Sequence, residues 1–161
     1  ALRLDSLPRG SEQPAAGFDK TPGGFDRAPK FPQPVNLNFL FHYYHRPGEK
    51  AALDMGLATL RAMADGGLHD QLGGGFHRYS TDERWFLPHF EKMLYDNALL
   101  TSAYLDAYLV TREERFARVV RETCNYVLAY MTDEAGGVHR PGDACREGAG
   151  AEFFVWARGE W

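Results

Sequence analysis

The 161-residue sequence has little cysteine, no excess of basic residues and no long hydrophobic run. Its two cysteines, Cys124 and Cys145, are too few for a disulfide framework and form no C-x-x-C motif, so we expect a reduced, cytoplasmic setting. A formal net charge of −4 argues against a nucleic-acid binder, which normally carries a basic stripe. No apolar run approaches the roughly 18 residues that a membrane span needs, so no membrane partner is predicted.

Recognisable metal and phosphate motifs are also missing. The six histidines show no H-E-x-x-H spacing, and the glycine-rich segments contain no G-x-x-x-x-G-K-[ST] pattern. Protein metal ligands often occur at such short spacings, because one element then directs two donors at the same ion. The sequence therefore predicts neither a metal site nor a cofactor.

Apolar periodicity predicts an all-α chain behind an irregular segment. The first 34 residues hold six of the nine prolines, and residues 1–33 are interpreted as an irregular arm or linker. A helical domain is predicted over residues 34–161. Its helices are expected from Pro34 to Pro47-Gly48, from Glu49 to Asp65, from Pro88 to Val110, and after the capping-box pattern Thr111-Arg112-Glu113-Glu114.

The apolar faces of these helices predict two layers. Between Ala98 and Val110 the third helix is apolar on almost every side, so we expect protein to cover most of its circumference. The second and fourth helices have apolar residues on one side only, and Cys124 of the fourth is expected in the core. Such alternation is typical of the inner and outer layers of a curved helical array.

A repeated glycine pair supports the same architecture. Gly66-Gly67 and Gly136-Gly137 each follow a helix that ends in Met-x-Asp. Because a single helical hairpin cannot bury its own apolar face, such punctuation favours repeated hairpins. The loops 66–87 and 136–156 are then expected on the same rim, each with a short β-hairpin.

The densest cluster of polar residues runs from Asp70 to Asn97 and is similar to a known family. Residues 70–79, 88–98 and 28–32 resemble the spermatogenesis-associated protein 20 family of thioredoxin-domain-containing proteins, and the resemblance extends from about Gly23 to Trp161. It implies a thioredoxin-like domain followed by an (α/α)6 toroid of the six-hairpin glycosidase and sugar-epimerase type. The chain would then supply the first hairpins of an incomplete toroid, with a thioredoxin-like domain as its partner in cis or in trans.

One segment departs from that family. Residues 143–148 read Asp-Ala-Cys-Arg-Glu-Gly, whereas the family usually has Asp-Ala-Asp-Ser-Glu-Gly there. A thiol and a cation thus replace a carboxylate and a hydroxyl at Cys145 and Arg146. The change puts in question any role of that stretch in binding a sugar hydroxyl.

Helical spacing gathers the candidate site residues at the start of the third predicted helix. His89, Lys92 and Asp96 fall on one face there, with Glu91 and Tyr95 as a neighbouring i, i+4 pair. The preceding glycine loop is flexible enough to fold back over this helix end. The predicted catalytic residues are His77, His89, Glu91, Asp70 and Asp96, and the predicted substrate-binding residues are Arg78, Tyr79, Asp82, Trp85, Lys92, Tyr95 and Asp143.

Two enzymatic chemistries and one non-enzymatic role remain open at this point. Glycoside hydrolysis needs two carboxyl groups, for which Asp70, Glu91, Asp96 and Asp143 are the candidates. Epimerisation next to a carbonyl needs bases on opposite faces of the carbon, which histidines 77 and 89 would supply. The alternative is a catalytically silent scaffold that works with a thioredoxin-like domain. A small sugar is the predicted ligand, and the apolar helix flanks predict self-association of the isolated chain.

Overall fold

The structure, a computed structural model, describes residues 16–45, 50–133 and 137–138. Helices α1 and α2 form a first pair, helices α3 and α4 form a second, and a small antiparallel sheet lies between the pairs in sequence. Their bounds are α1 Pro34–Tyr43, α2 Lys50–Asp65, β1 Tyr79–Ser80, β2 Pro88–His89, α3 Leu94–Thr111 and α4 Glu114–Tyr130. Helix α1 packs on α2 and α3, and α3 packs on α4, which confirms the predicted helical hairpins with a short β-hairpin in the glycine-rich loop.

The core lies where the apolar stripes of the helices meet. Leu40 of α1 and Leu60 of α2 are completely buried, as the periodicity predicts. Tyr104 of α3 is also completely buried, and its hydroxyl donates a 2.7 Å hydrogen bond to the carbonyl of Leu60. A buried phenol needs such a partner, so this bond fixes how α3 sits on α2.

The third helix begins at Leu94, and the predicted start at Pro88 is wrong. Pro88 and His89 form β2 instead, and Met93, the residue before the helix, is extended at φ −101° and ψ 138°. Pairing with β1 keeps Pro88 and His89 extended. The apolar pattern of the helix that follows gives no sign of this pairing. The predicted helical faces, one with His89, Lys92 and Asp96 and one with Glu91 and Tyr95, therefore do not exist.

Two details of α4 also differ from the predictions. Glu113, not Thr111, precedes the helix and makes no side-chain cap, so the predicted capping box is wrong. The hydroxyl of Thr111 accepts a 3.2 Å hydrogen bond from the Glu113 N–H at the end of α3. Cys124 is exposed rather than in the core, because the buried Thr123 faces inward and the next residue lies about 100° further round the helix.

The apolar circumference of α3 is only partly covered by the described residues. Leu99, Leu105 and Leu109 are 37%, 44% and 51% exposed, so the described residues leave this side of α3 uncovered. The side that faces α1 and α4 is buried and includes Leu100 and Ala103.

The described part of the arm, residues 16–33, packs on the helical part. Lys30 is completely buried and exchanges two backbone hydrogen bonds of 2.7 and 2.8 Å with Ser80 of β1. Its ammonium group lies 5.1 Å from the centre of the Trp85 ring and donates to the Glu83 carbonyl at 3.2 Å and to Asp19 at 3.4 Å. The arm thus adds a third, one-residue strand to the sheet.

The glycine repeat differs from the prediction, because Gly137 corresponds to Gly75 and the predicted match of Gly136-Gly137 with Gly66-Gly67 is wrong. Asp70 donates its N–H to the Gly75 carbonyl at 3.0 Å, and Asp133 donates its N–H to the Gly137 carbonyl at 2.8 Å. An isolated antiparallel bridge lies next to each of these hydrogen bonds, between residues 69 and 76 and between residues 132 and 138. Gly137 therefore matches Gly75, while the remainder of the predicted second loop lies outside the described residues.

The side chain of Asn97 anchors the glycine-rich loop to α3. Its Oδ1 accepts the Phe76 N–H at 2.7 Å, and its Nδ2 donates to the Phe76 carbonyl at 3.1 Å and to the Met93 carbonyl at 2.9 Å. Asn97 and Phe76 are completely buried, so no water replaces a bond between them that is lost. At Gly75, φ is 76° and a Cβ would lie 2.6 Å from the Tyr126 ring, so only glycine fits between the loop and α4.

Replacing Asn97 by alanine in the full-length protein should loosen this loop. Two buried backbone groups of Phe76 lose their partner, so we expect the free energy of local opening to fall by about 2–4 kcal/mol. Hydrogen exchange of the Phe76 amide measures this opening. The exposed Ser102 of the same helix supplies the control, since Ser102→Ala should change the value by less than about 0.5 kcal/mol. Equal exchange in both variants would show that the anchor contributes nothing.

Candidate functional site

Two of the predicted site residues form a buried ion pair beneath the glycine loop. The Lys92 ammonium donates to Asp70 Oδ2 at 2.7 Å and to the Gly74 carbonyl at 2.8 Å, and lies 4.1 Å from the centre of the Tyr126 ring. Burial by itself would raise the pKa of Asp70, but the Lys92 bond and two loop N–H groups outweigh it and lower the pKa. Burial lowers the pKa of Lys92, and Asp70 opposes that shift. Both side chains therefore hold the loop in place.

Trp85 and Asp82 are likewise engaged by the protein itself. Trp85, a predicted substrate-binding residue, is completely buried, and its Nε1 donates a 2.9 Å hydrogen bond to the Pro22 carbonyl, so its ring offers no surface to a ligand. The Asp82 carboxylate accepts the N–H groups of Arg84 at 2.6 Å and Leu87 at 2.6 Å. These bonds shape the turn between β1 and β2.

His77 lies inside the protein. His77 is 3% exposed. Its ring packs edge-on against the Phe90 ring, and the ring centres are 5.2 Å apart. Burial, together with the nearby Lys92 charge, lowers the pKa of His77 to about 4. The imidazole is therefore neutral at physiological pH and does not face solvent as a catalytic base would.

The remaining charged residues meet at the surface beside the start of α3. Arg78 donates a 2.8 Å hydrogen bond to Glu91 Oε2, and its backbone N–H donates to the Glu91 carbonyl at 2.8 Å. The hydrogen bond with Glu91 raises the pKa of Arg78, and Tyr95 adds to this shift. The Arg78 and Glu91 side chains are 38% and 18% exposed, so a ligand can reach both.

Asp96 lies in the first turn of α3, next to this ion pair. It is 9% exposed, and within the described part of the chain its buried Oδ2 has no hydrogen-bond partner. Burial raises the pKa of Asp96 to about 6; the Arg78 cation lowers it, and the Glu91 carboxylate raises it further. Asp96 is thus a carboxyl group that changes its charge close to neutral pH.

An aromatic row borders the charged group. Tyr79 and His89 are partners across β1 and β2, with ring centres 4.9 Å apart, and Phe31 of the arm lies 4.8 Å from the Tyr79 ring. The Glu91 N–H donates to His89 Nδ1 at 3.4 Å. In the neutral imidazole the proton then resides on Nε2, which makes that atom a hydrogen-bond donor.

The predicted site residues therefore separate into two groups. The structure brings together at the surface Arg78, Tyr79, His89, Glu91 and Tyr95, and it buries Asp96 beside them. It places His77 in the interior, uses Asp70, Asp82, Trp85 and Lys92 for the protein's own contacts, and does not describe Asp143.

Sequence reasoning missed the roles of Asn97, Lys30 and Phe31. All three lie in the segments that resemble the family. The resemblance therefore identified these segments as important but did not indicate what the three residues do. The side chains of an extended strand alternate between its two faces. Because the structure buries Lys30, the next residue, Phe31, points outward.

The described ranges contain no group of three or more histidine, cysteine, aspartate or glutamate residues that is arranged to hold a metal ion. Among the helices of these ranges, none has the length and apolarity that crossing a bilayer requires.

Comparison with known proteins supports both the family and the fold. No family model matches the sequence. Mouse spermatogenesis-associated protein 20 is 46% identical over 153 residues, which cover 87% of this chain and 19% of that protein. The chain thus spans about a fifth of the length of this curated relative.

Two solved structures share the fold at low sequence identity. A sugar epimerase from a ruminal bacterium matches with a TM-score of 0.70 and 16% identity, over 85% of this chain and 37% of that one. The cellobiose 2-epimerase of Spirochaeta thermophila matches with a TM-score of 0.68 and 16% identity, over 87% and 43% of the two chains. The chain therefore belongs to the spermatogenesis-associated protein 20 family and folds as helical hairpins of an (α/α)6 toroid.

Proposed function

We propose that this part of the protein carries a proton-transfer site for a sugar, of the epimerase type, at the mouth of the toroid. The observation that carries the proposal is Asp96, a buried carboxyl group with a pKa of about 6 that lies beside a surface ion pair. A carboxyl group that titrates near working pH is suited to acid–base catalysis, because it is basic enough to accept a proton while still ionised.

Asp96 acts as the base in this proposal. Its carboxylate removes the proton from the sugar carbon next to the carbonyl, and the electron pair of the broken C–H bond moves to the carbonyl oxygen. The sugar becomes an enediolate, and its oxidation state does not change in this step. A proton delivered from solvent water to the opposite face of the same carbon completes the inversion, and Asp96 then releases its own proton to solvent.

The surface residues around Asp96 would stabilise the enediolate oxygen. Arg78 keeps its positive charge at every relevant pH, and Glu91 holds its guanidinium in place through the 2.8 Å bond. His89, with its proton on Nε2, donates a hydrogen bond to the same or a neighbouring oxygen. Fixed donors of this kind stabilise charge that develops during the reaction.

The choice of a sugar rests on the neighbouring groups and on the fold. Arginine, carboxylate and hydroxyl groups beside exposed aromatic rings are the features by which proteins bind sugars. The solved structures of similar fold are named as a sugar epimerase and a cellobiose 2-epimerase. Cellobiose and its C2 epimer are therefore suitable first probes.

The Asp96→Asn variant of the full-length protein tests this role. We expect kcat/KM for interconversion of the two epimers to fall at least about 100-fold, since the amide accepts no proton. In the unmodified protein, kcat/KM should rise as the pH increases through about 6, where Asp96 ionises. Asp54→Asn, on the exposed side of α2, is the matched control and should leave turnover unchanged.

The products distinguish the competing interpretations. Release of glucose from cellobiose, in place of its epimer, would indicate a hydrolase. Turnover that is the same in the Asp96→Asn variant and in the unmodified protein would overturn the assignment of the base.

The protonation of Asp96 can also be tested without a substrate. Its pKa is raised on folding, so its contribution to the unfolding free energy is full below about pH 4 and is lost as the pH rises through about 6. We therefore expect Asp96→Asn and the unmodified protein to be similarly stable near pH 4, and the variant to be more stable at pH 7. His77 titrates in both proteins and cancels in the difference. Denaturant unfolding at several pH values measures the difference in unfolding free energy between the two proteins. Equal stability at pH 7 would contradict the raised pKa of Asp96.

A further inference from the structure

We infer that Phe31, Tyr79 and His89 form a platform on which a second sugar ring stacks, so that the ligand is a disaccharide or a longer saccharide. This inference rests on the proposed function, because the first ring is taken to lie at Asp96. The geometry of the small sheet is what supports it.

The three rings lie on one face of the sheet because of strand alternation. Ser80 and Lys30 are completely buried on the opposite face, and Pro88, opposite Ser80, is buried as well. Their neighbours in sequence, Tyr79 and Phe31, must therefore point the other way. The Phe31 side chain is 40% exposed, and Tyr79 and His89 are half-buried.

The row begins at the charged group and leads away from it. His89 is joined to Glu91 by the 3.4 Å hydrogen bond, the Tyr79 ring lies 4.9 Å from His89, and the Phe31 ring lies a further 4.8 Å from Tyr79. In this proposal the reacting ring lies beside Asp96 and a further ring of the ligand lies on the row.

A pyranose ring suits this surface better than a purely apolar group does. One face of the pyranose carries C–H groups, whose positive hydrogens are attracted to the negative faces of aromatic rings. Its hydroxyl groups point sideways, where the His89 Nε2 and the Arg78 guanidinium are donors. The aromatic rings are already held by backbone pairing, so binding costs little additional ordering.

Phe31 comes from the arm rather than from the helices, and this gives the platform a separate test. In the full-length protein we expect Phe31→Ala to weaken cellobiose binding about tenfold, which corresponds to the loss of one stacking contact. Calorimetry with cellobiose and with glucose as probes measures this, and the variant should lose affinity for cellobiose much more than for glucose. Phe86→Ala is the control, because Phe86 is 77% exposed on the turn between the strands and belongs to no part of the platform.

A second variant separates lost stacking from a disturbed arm. Phe31→Tyr keeps an aromatic ring at the same place and should retain cellobiose affinity within about twofold. The proposed platform is ruled out if the Phe31→Ala variant binds cellobiose as tightly as the unmodified protein, or if no disaccharide binds to the unmodified protein. These outcomes are distinct from a failure of the proposed function, which appears as turnover that does not depend on Asp96. Binding of cellobiose without any turnover would support the platform and not the enzyme.

Discussion

The site depends on how one loop is fastened to the start of one helix. The amide of Asn97 pairs with both backbone groups of Phe76, 21 residues earlier, and the Lys92 ammonium ties Asp70 and Gly74 together beneath the same loop. Asn97, Phe76 and Lys92 are buried, and leaving one of them without a partner would cost more than its bond contributes. Arg78 and Glu91 lie directly next to the fastened residues, so this fastening positions their ion pair at the surface.

The same fastening explains why a stretch so rich in titratable residues yields a small site. Asp70 and Lys92 neutralise each other, His77 is neutral in the interior, and Asp82 shapes its own turn. What remains is the ion pair of Arg78 and Glu91 at the surface and the buried carboxyl group of Asp96 beside it. Burial, rather than a particular partner, gives Asp96 its chemical interest, because the charged form is poorly solvated there.

Helix periodicity predicted the helical hairpins, the ends of α2 and the buried stripe of α4, because these are set by local spacing and by packing on a single core. It did not reveal the extended stretch 88–93, which depends on pairing with a strand nearly ten residues away. The resemblance to a family marked the correct segment but assigned no roles within it. Whether Trp85 and Lys92 face inward or outward is decided by tertiary contacts, and residue type by itself does not predict it.

Lys30 and Phe31 show how closely the arm belongs to the domain. The ammonium group of Lys30 packs over the Trp85 ring in the core, and the side chain of the next residue, Phe31, packs against Tyr79 on the exposed face of the sheet. A domain boundary drawn just before α1 would leave Ser80 without its backbone partner and an apolar hollow around the indole. Any recombinant truncation of this family that is meant to keep the toroid intact should therefore retain the proline-rich stretch ahead of the first helix.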